Sequence, residues 1–376
     1  MRVRCPTPPS RFWPRAVVAA AVVVAGSQAC KATPPTPSNG VGAPSTVASA
    51  LPAELTAGER ARLVTEIGRQ FELHYVFPEV GTRLAAVLRE RAEHGAYDST
   101  DRAEDFARLV TDDLRAVSHD RHAMLEWTSP SATNDDDARW RILDAEHRRT
   151  AGFTRVERRP GNVAYVVLDS FEPADVARAA IAARMTEIAD ADALIIDLRS
   201  DSGGDPATVA LVASYLFDAT PVHLNDMWWR DDGTTDRFFT TPGVEGRRYG
   251  AAKPVFVLTS GGTFSAAEEL AYDLQCLHRA QVVGEVTKGG AHPVARRPLS
   301  PVLTLRVPTG RAINPITMTN WEGTGVKPDL SCPAADAPRV AYVRALRAIL
   351  ASSAASGDKR GAQAALDALG PLPDGP

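Results

Sequence analysis

Three short apolar runs, at residues 163–168, 193–196 and 255–258, constrain this chain more than any other feature. Each is rich in Val, Ile or Leu, and helix-like stretches alternate with them at residues 173–188, 206–217 and 265–277. A strand that is apolar throughout must be covered on both faces. Continuous apolar strands alternating with helices therefore imply an α/β fold on a mainly parallel, covered sheet. Residues 281–284 and 303–307 add later strands. The α/β core is expected over residues 128–350.

The preceding part, residues 51–127, has a helical pattern. Leu55, Leu63, Ile67 and Phe71 fall at multiples of four, although Glu59 interrupts that face. A second run covers 84–92. Thr100-Asp101 reads as a helix start, with Phe106, Leu109, Val110 and Leu114 following at helical spacing. No strand signal interrupts, so a small helical N-terminal domain is expected. Residues 129–137, rich in Ser, Asn and Asp, read as a loop. The tail, 351–376, reads as loose.

At the N-terminus Arg2, Arg4, Arg11 and Arg15 precede an apolar run over 16–25 and a small-residue site at Ser27-Gln28-Ala29. About ten apolar residues are too few to span a bilayer core, which needs roughly 20. Residues 1–29 read instead as a secretory signal peptide, and export to a periplasmic or extracellular compartment is expected. Cys30 resembles the lipidated cysteine of bacterial lipoproteins, and a lipid there is the one membrane link considered. Residues 30–50, rich in Pro, Ser, Thr and Gly, read as a flexible linker. The formal charge of -4 speaks against a nucleic-acid partner, since no basic excess is available to displace phosphate counterions. Four cysteines exclude a disulfide-stapled miniature fold and a multi-cysteine zinc module. Cys276 and Cys332 are those of the folded part, and an oxidising compartment permits their pairing.

Two turns have the residue types that chemistry needs. Ser265 closes a strand and opens a helix, where unpaired amides and the positive helix end favour an acyl-transfer nucleophile. A serine there also suits a plain helix cap. Ser200 to Pro206 is a second strand-to-helix turn, whose Gly203-Gly204 pair lets the backbone approach a ligand closely. It lacks both the Gly-Lys-Ser/Thr ending and the Gly-x-Gly-x-x-Gly spacing of phosphate loops. His119 and His122 have no third metal ligand at a telling spacing, so no metal and no organic cofactor is expected. His292, in a Gly-rich turn, reads as structural. Trp228-Trp229 and Phe238-Phe239 fit a substrate groove or the core.

These stretches together resemble the tail-specific, or carboxy-terminal processing, serine peptidase family, in the branch of the tricorn protease core and the repeats of interphotoreceptor retinoid-binding protein. The resemblance is carried by Tyr75-Val76-Phe77-Pro78-Glu79, by Leu114 through Asp120-Arg121-His122, and by Asp197-Leu198-Arg199. It continues in Thr263-Phe264-Ser265-Ala266-Ala267-Glu268, Gly289-Gly290-Ala291-His292-Pro293 and Thr319-Asn320-Trp321-Glu322-Gly323, and ends in Gly325-Val326-Lys327-Pro328-Asp329. It implies a ClpP/crotonase-like core, peptide or protein substrates, and a triad of nucleophile Ser265, base His122 and orienting acid Glu322. The oxyanion hole it implies is formed by Gly203, Gly204 and Ala266. Such a triad is defined by geometry rather than chain order.

Departures from the family pattern are also visible. The Ser-Lys branch has its lysine at the position of Gly290, and Lys288, two residues earlier, is an alternative base. Arg121 replaces the serine that precedes the tricorn-type histidine. The interval from Trp127 to Val163 is too short for an inserted PDZ domain. The expected function is an exported serine peptidase acting through a Ser265 acyl-enzyme. The alternative, which the retinoid-binding repeats allow, is a non-catalytic binder of retinoids or fatty acids.

Overall fold

The computed structural model describes residues 54–129, 149–352 and 358–370. The segment read as a signal peptide, Cys30, the segment read as a linker and nearly all of the 129–137 stretch read as a loop lie outside the described residues.

A six-stranded sheet forms the centre. Its strands are β2 (Phe153–Arg159), β3 (Val163–Leu168), β4 (Ala193–Asp197), β7 (Val255–Thr259), β8 (Gln281–Gly284) and β12 (Leu330–Ser331), in the spatial order β12-β8-β7-β4-β3-β2. All neighbours are parallel except β2, which runs antiparallel to β3. The mainly parallel sheet expected from the apolar runs is therefore present, and its strands alternate between two cores. Ala164, Val166, Leu168, Leu194 and Ile196 join one cluster with helices α4 (Ala174–Ile188), α5 (Pro206–Ser214) and α6 (Ala266–Cys276). Val163, Tyr165, Ala193 and Ile195 face the other way, onto α7 (Ala337–Ala351) and α8 (Lys359–Ala368). Side chains alternate along a strand, so each covered face takes every second residue.

The N-terminal helices are α1 (Ala57–His74), α2 (Pro78–Glu93) and α3 (Ala103–Ser118). Thr56 and Glu59 form a capping box at the start of α1, so Glu59, which broke the apolar face, serves the helix end. The helices share their core with β1 (Met124–Trp127) and β10 (Leu303–Pro308), through Leu125, Leu303, Leu305 and Val307. Strand β1 lies in the region read as helical without strands. It pairs antiparallel with β10, which also pairs with β9 (Val294–Pro298). Four residues are too few to show alternation, and a partner 180 positions away in sequence defines the strand. A third sheet, β11-β5-β6, joins β5 (His223–Trp229), β6 (Thr235–Phe239) and β11 (Gly310–Ile313).

The tail departs from expectation. Within residues 351–376, α8 is an ordered helix capped by Asp358, whose carboxylate accepts the Gly361 N–H. Ala362 is fully buried in the core around α7. Small residues that look like loop composition here allow close helix packing. No disulfide joins Cys276 and Cys332.

Candidate active site

Strands β4 and β7 are parallel neighbours, so the loops after their carboxyl ends lie side by side. The first carries Asp201 to Asp205 and the second ends at Ser265. The two are tied together: Phe264 N–H donates to the Asp201 carbonyl (3.0 Å) and Ser260 Oγ to the Arg199 carbonyl (2.6 Å).

Ser265 sits at φ 57°, ψ -123°, a conformation that costs a non-glycine residue on the order of 1–3 kcal/mol. Glu268 holds the turn. Its fully buried carboxylate accepts from Ser265 N–H (2.9 Å), Gly289 N–H (2.6 Å), Gly290 N–H (2.9 Å) and the Thr287 hydroxyl. Burial drives its acidity down and these donors oppose the shift. One side chain thus fastens the strained turn to the loop that follows β8.

His122 lies just beyond α3. His119 ends that helix in the left-handed conformation (φ 58°), and Asp120 Oδ1 accepts the His122 N–H at 2.9 Å. The ring reaches across the molecule and places Nε2 at 3.1 Å from Ser265 Oγ. It is stacked on Phe264, with centroids 4.4 Å apart. Burial holds its pKa down at about 4, with Arg306, His292 and Lys288 acting in the same direction against Asp120. The imidazole is therefore neutral at neutral pH and free to take a proton.

Glu322 is not placed on His122. Its Oε2 accepts the Ala291 N–H and lies 3.5 Å from His292 Nδ1. Among the described residues, the carboxylate that does approach the base is Asp120, with Oδ1 4.0 Å from His122 Nδ1. Asp120 is fully buried, is bonded to His292 Nδ1 (2.7 Å) and accepts the Tyr75 hydroxyl (3.2 Å). Burial opposes ionisation of Asp120 most strongly, but the bond and charge of His292 together with His122 hold its pKa below the usual value, and against burial the same acid, with Glu322, raises the His292 pKa. Burial and the nearby Asp120 charge push Glu322 up to about 7. His292, read as structural from the sequence, is the link between the two acids. The expected direct Glu322–His122 contact gives way to the sequence Glu322, His292, Asp120, His122. An Asp two residues before a His was the available signal for Asp120.

Of the expected oxyanion residues, Gly204 and Ala266 line the cavity over Ser265. Gly203 does not: its N–H donates to Asp201 Oδ1 at 2.7 Å. Its part is steric, since at φ 102° a Cβ there would lie 2.7 Å from Ser265 Cβ and 2.9 Å from the Ala266 nitrogen. Asp201 itself, wholly buried, is pushed up to about 8 by desolvation.

Among the described residues Lys288 donates no hydrogen bond to the nucleophile; its Nζ lies 4.7 Å from the centroid of the Phe264 ring. A lysine at position 290 has no room, because a Cβ there would fall 2.2 Å from Phe264 Cε2 and 2.7 Å from His122 Cε1. The histidine base and the lysine base thus compete for one space. The cavity beside these groups has a volume of about 700 Å³, and Trp229 and Phe238 contribute to its wall.

A buried histidine on a strained serine, at the carboxyl ends of a parallel sheet, is the constellation of a serine peptidase. A profile of peptidase family S41 matches residues 162–332, and one of the N-terminal domain of such peptidases in eukaryotic IRBP matches residues 55–149. The chain belongs to family S41 and is a serine peptidase, acting on peptide or protein substrates. The fold is also similar to solved structures. A serine-to-alanine variant of CPAF matches with a TM-score of 0.56 at 10% identity, over 78% of this chain and 98% of that one. A lipoprotein from Streptococcus agalactiae matches with a TM-score of 0.52 at 15% identity, over 75% of this chain and 93% of that one.

Proposed function

We propose that the protein is an exported peptidase that cleaves peptide bonds through a Ser265 acyl-enzyme. The observation that carries this reading is the 3.1 Å contact between His122 Nε2 and Ser265 Oγ on the strained turn. In the tautomer that accepts at Nε2, the Ser265 hydroxyl donates to the ring. As Oγ attacks the substrate carbonyl, the proton passes to Nε2, and the oxyanion is stabilised by the amides of Ala266 and Gly204. The imidazolium then gives its proton to the departing amine, leaving an ester on Ser265. Water adds to that ester with His122 again taking a proton, which it returns to Ser265 Oγ as the acyl–oxygen bond breaks and the carboxylic product leaves.

Asp120 steadies the imidazolium that forms in both steps, and Glu322 acts behind it through His292. The Arg-rich apolar N-terminus and Ser27-Gln28-Ala29 support export with removal of residues 1–29, with a lipid on Cys30 as the attachment to a membrane. The non-catalytic binder of retinoids or fatty acids has no need of a neutral buried base against a serine.

A fluorophosphonate probe tests the reading. It is expected to label Ser265, and labelling should vanish in Ser265→Ala and in His122→Ala. Turnover should fall on the order of 10⁶-fold in Ser265→Ala. An unlabelled, peptide-inert wild type that binds retinol tightly would refute it. Intact mass of the secreted protein tests the removal of residues 1–29 and reads any acyl group on Cys30.

A further inference from the structure

The cavity over Ser265 carries an acid that the reaction does not use. Glu269 lies one helical turn after the nucleophile, its N–H donating to the Ser265 carbonyl at 3.0 Å. Ser265 caps α6 and Glu269 lies in its first turn, so the two are neighbours at the same end of the helix. It lines the cavity although only 2% of it is exposed, and Met227, Trp229, Phe238 and Trp321 add apolar surface to the same cavity.

Among the described residues, no cation pairs with this carboxyl. Asn225 Nδ2 donates to Glu269 Oε1 at 3.2 Å, and behind it Asn314 Nδ2 donates to Asp273 Oδ1 at 3.0 Å. Asp273 Oδ2 and Asn225 Oδ1 are buried acceptors with no hydrogen-bond partner among the described residues. The charged groups acting on the pair are themselves acidic: Asp205 on Glu269, and Glu269 on Asp273. Arg115, Arg121, Lys288 and Arg306 also line the cavity, yet none is among the groups acting on Glu269. Burial pushes Glu269 up to about 8, the response of an acid with no cation to meet it.

We infer that Glu269 is a specificity residue and that this cavity receives a long basic side chain, lysine or arginine, from the residue whose carbonyl Ser265 attacks. The apolar surface suits the methylene stem and the buried carboxyl suits the cationic tip, whose fixed donors complement an acceptor-rich end. This deepens the acyl-enzyme reading and rests on it.

The test compares matched fluorogenic peptides that carry either arginine or its neutral isostere citrulline before the cleaved bond. Wild type should favour arginine by about 100-fold in kcat/KM, and Glu269→Gln should bring the ratio close to one, as loss of a desolvated charge pair does. Glu269→Asp should restore part of it. In parallel, Ser265→Ala should bind the arginine-ending product peptide more tightly than the citrulline one, and Ser265→Ala/Glu269→Gln should lose that difference. A wild-type ratio near one, or a ratio unmoved in a folded Glu269→Gln variant, overturns the inference. Absence of cleavage together with arginine-selective binding to Ser265→Ala would refute the acyl-enzyme reading and, with it, the position of the basic residue at the attacked carbonyl, while upholding Glu269 as the receptor of a basic side chain. Binding without arginine preference overturns it whatever the cleavage result.

Discussion

Gly290→Ala is the sharpest perturbation of this site. It adds one methyl group at the edge of the cavity, and Gly290 has no positive φ that would strain an alanine backbone. The new Cβ would meet Phe264 Cε2 at 2.2 Å, Phe264 Cζ at 2.6 Å and His122 Cε1 at 2.7 Å. Ordinary carbon contacts are about 3.5 Å or more, so roughly 1 Å must be found at each ring. The backbone of residue 290 has little freedom to supply it. Its N–H is held by Glu268 at 2.9 Å, and its carbonyl accepts the Trp321 indole N–H at 2.7 Å. The stacked Phe264 and His122 rings must therefore move. A shift of about 1 Å takes the 3.1 Å His122–Ser265 contact outside hydrogen-bond range. Misplacement of that size costs about 10²-fold in turnover. Overpacking costs about 1–3 kcal/mol of stability. Peptide hydrolysis alongside thermal melts measures both. A folded Gly290→Ala enzyme within twofold of wild-type kcat would show that the Phe264 stack does not set the position of His122.

Three other outcomes are expected. Asp120→Asn should lower kcat more than Glu322→Gln does, by up to about 10⁴-fold, because Asp120 approaches the base and Glu322 reaches it only through His292; the reverse order in a kinetic comparison would restore Glu322 as the direct partner. The pH profile of kcat/KM should rise through about 4 instead of 6.5, since the buried His122 must be neutral to act. The same depression makes folding stability present above pH 6.5 and lost as pH falls toward 4. Asp201 has the opposite sign: its folded pKa is raised to about 8, so its contribution is full below the ordinary value of 3.8 and lost as pH rises through 8. Asp201→Asn keeps an acceptor for the Gly203 N–H and cannot ionise, so melts at pH 9 should show it more stable than wild type, with the advantage gone at pH 4.

The sequence by itself determined the frame. The apolar runs at 163–168, 193–196 and 255–258 had to be covered strands, because burying Val, Ile and Leu on both faces leaves no other economical arrangement. The turn carrying Ser265 and the motif carrying His122 were likewise legible, since a strand-to-helix serine and an Asp-x-His are local patterns. What lay beyond reach depended on contacts between distant segments. Strand β1 exists through its pairing with β10, and α8, in a tail composed like a loop, through burial of Ala362. The carboxylate nearest the base is Asp120 rather than Glu322, because His292 stands between the two acids and takes both. Gly290 is a glycine because two rings from separate segments occupy the space of its side chain. Periodicity and turn chemistry are local and can be read along the chain, whereas the position and charge of a buried acid are set by what the fold packs against it.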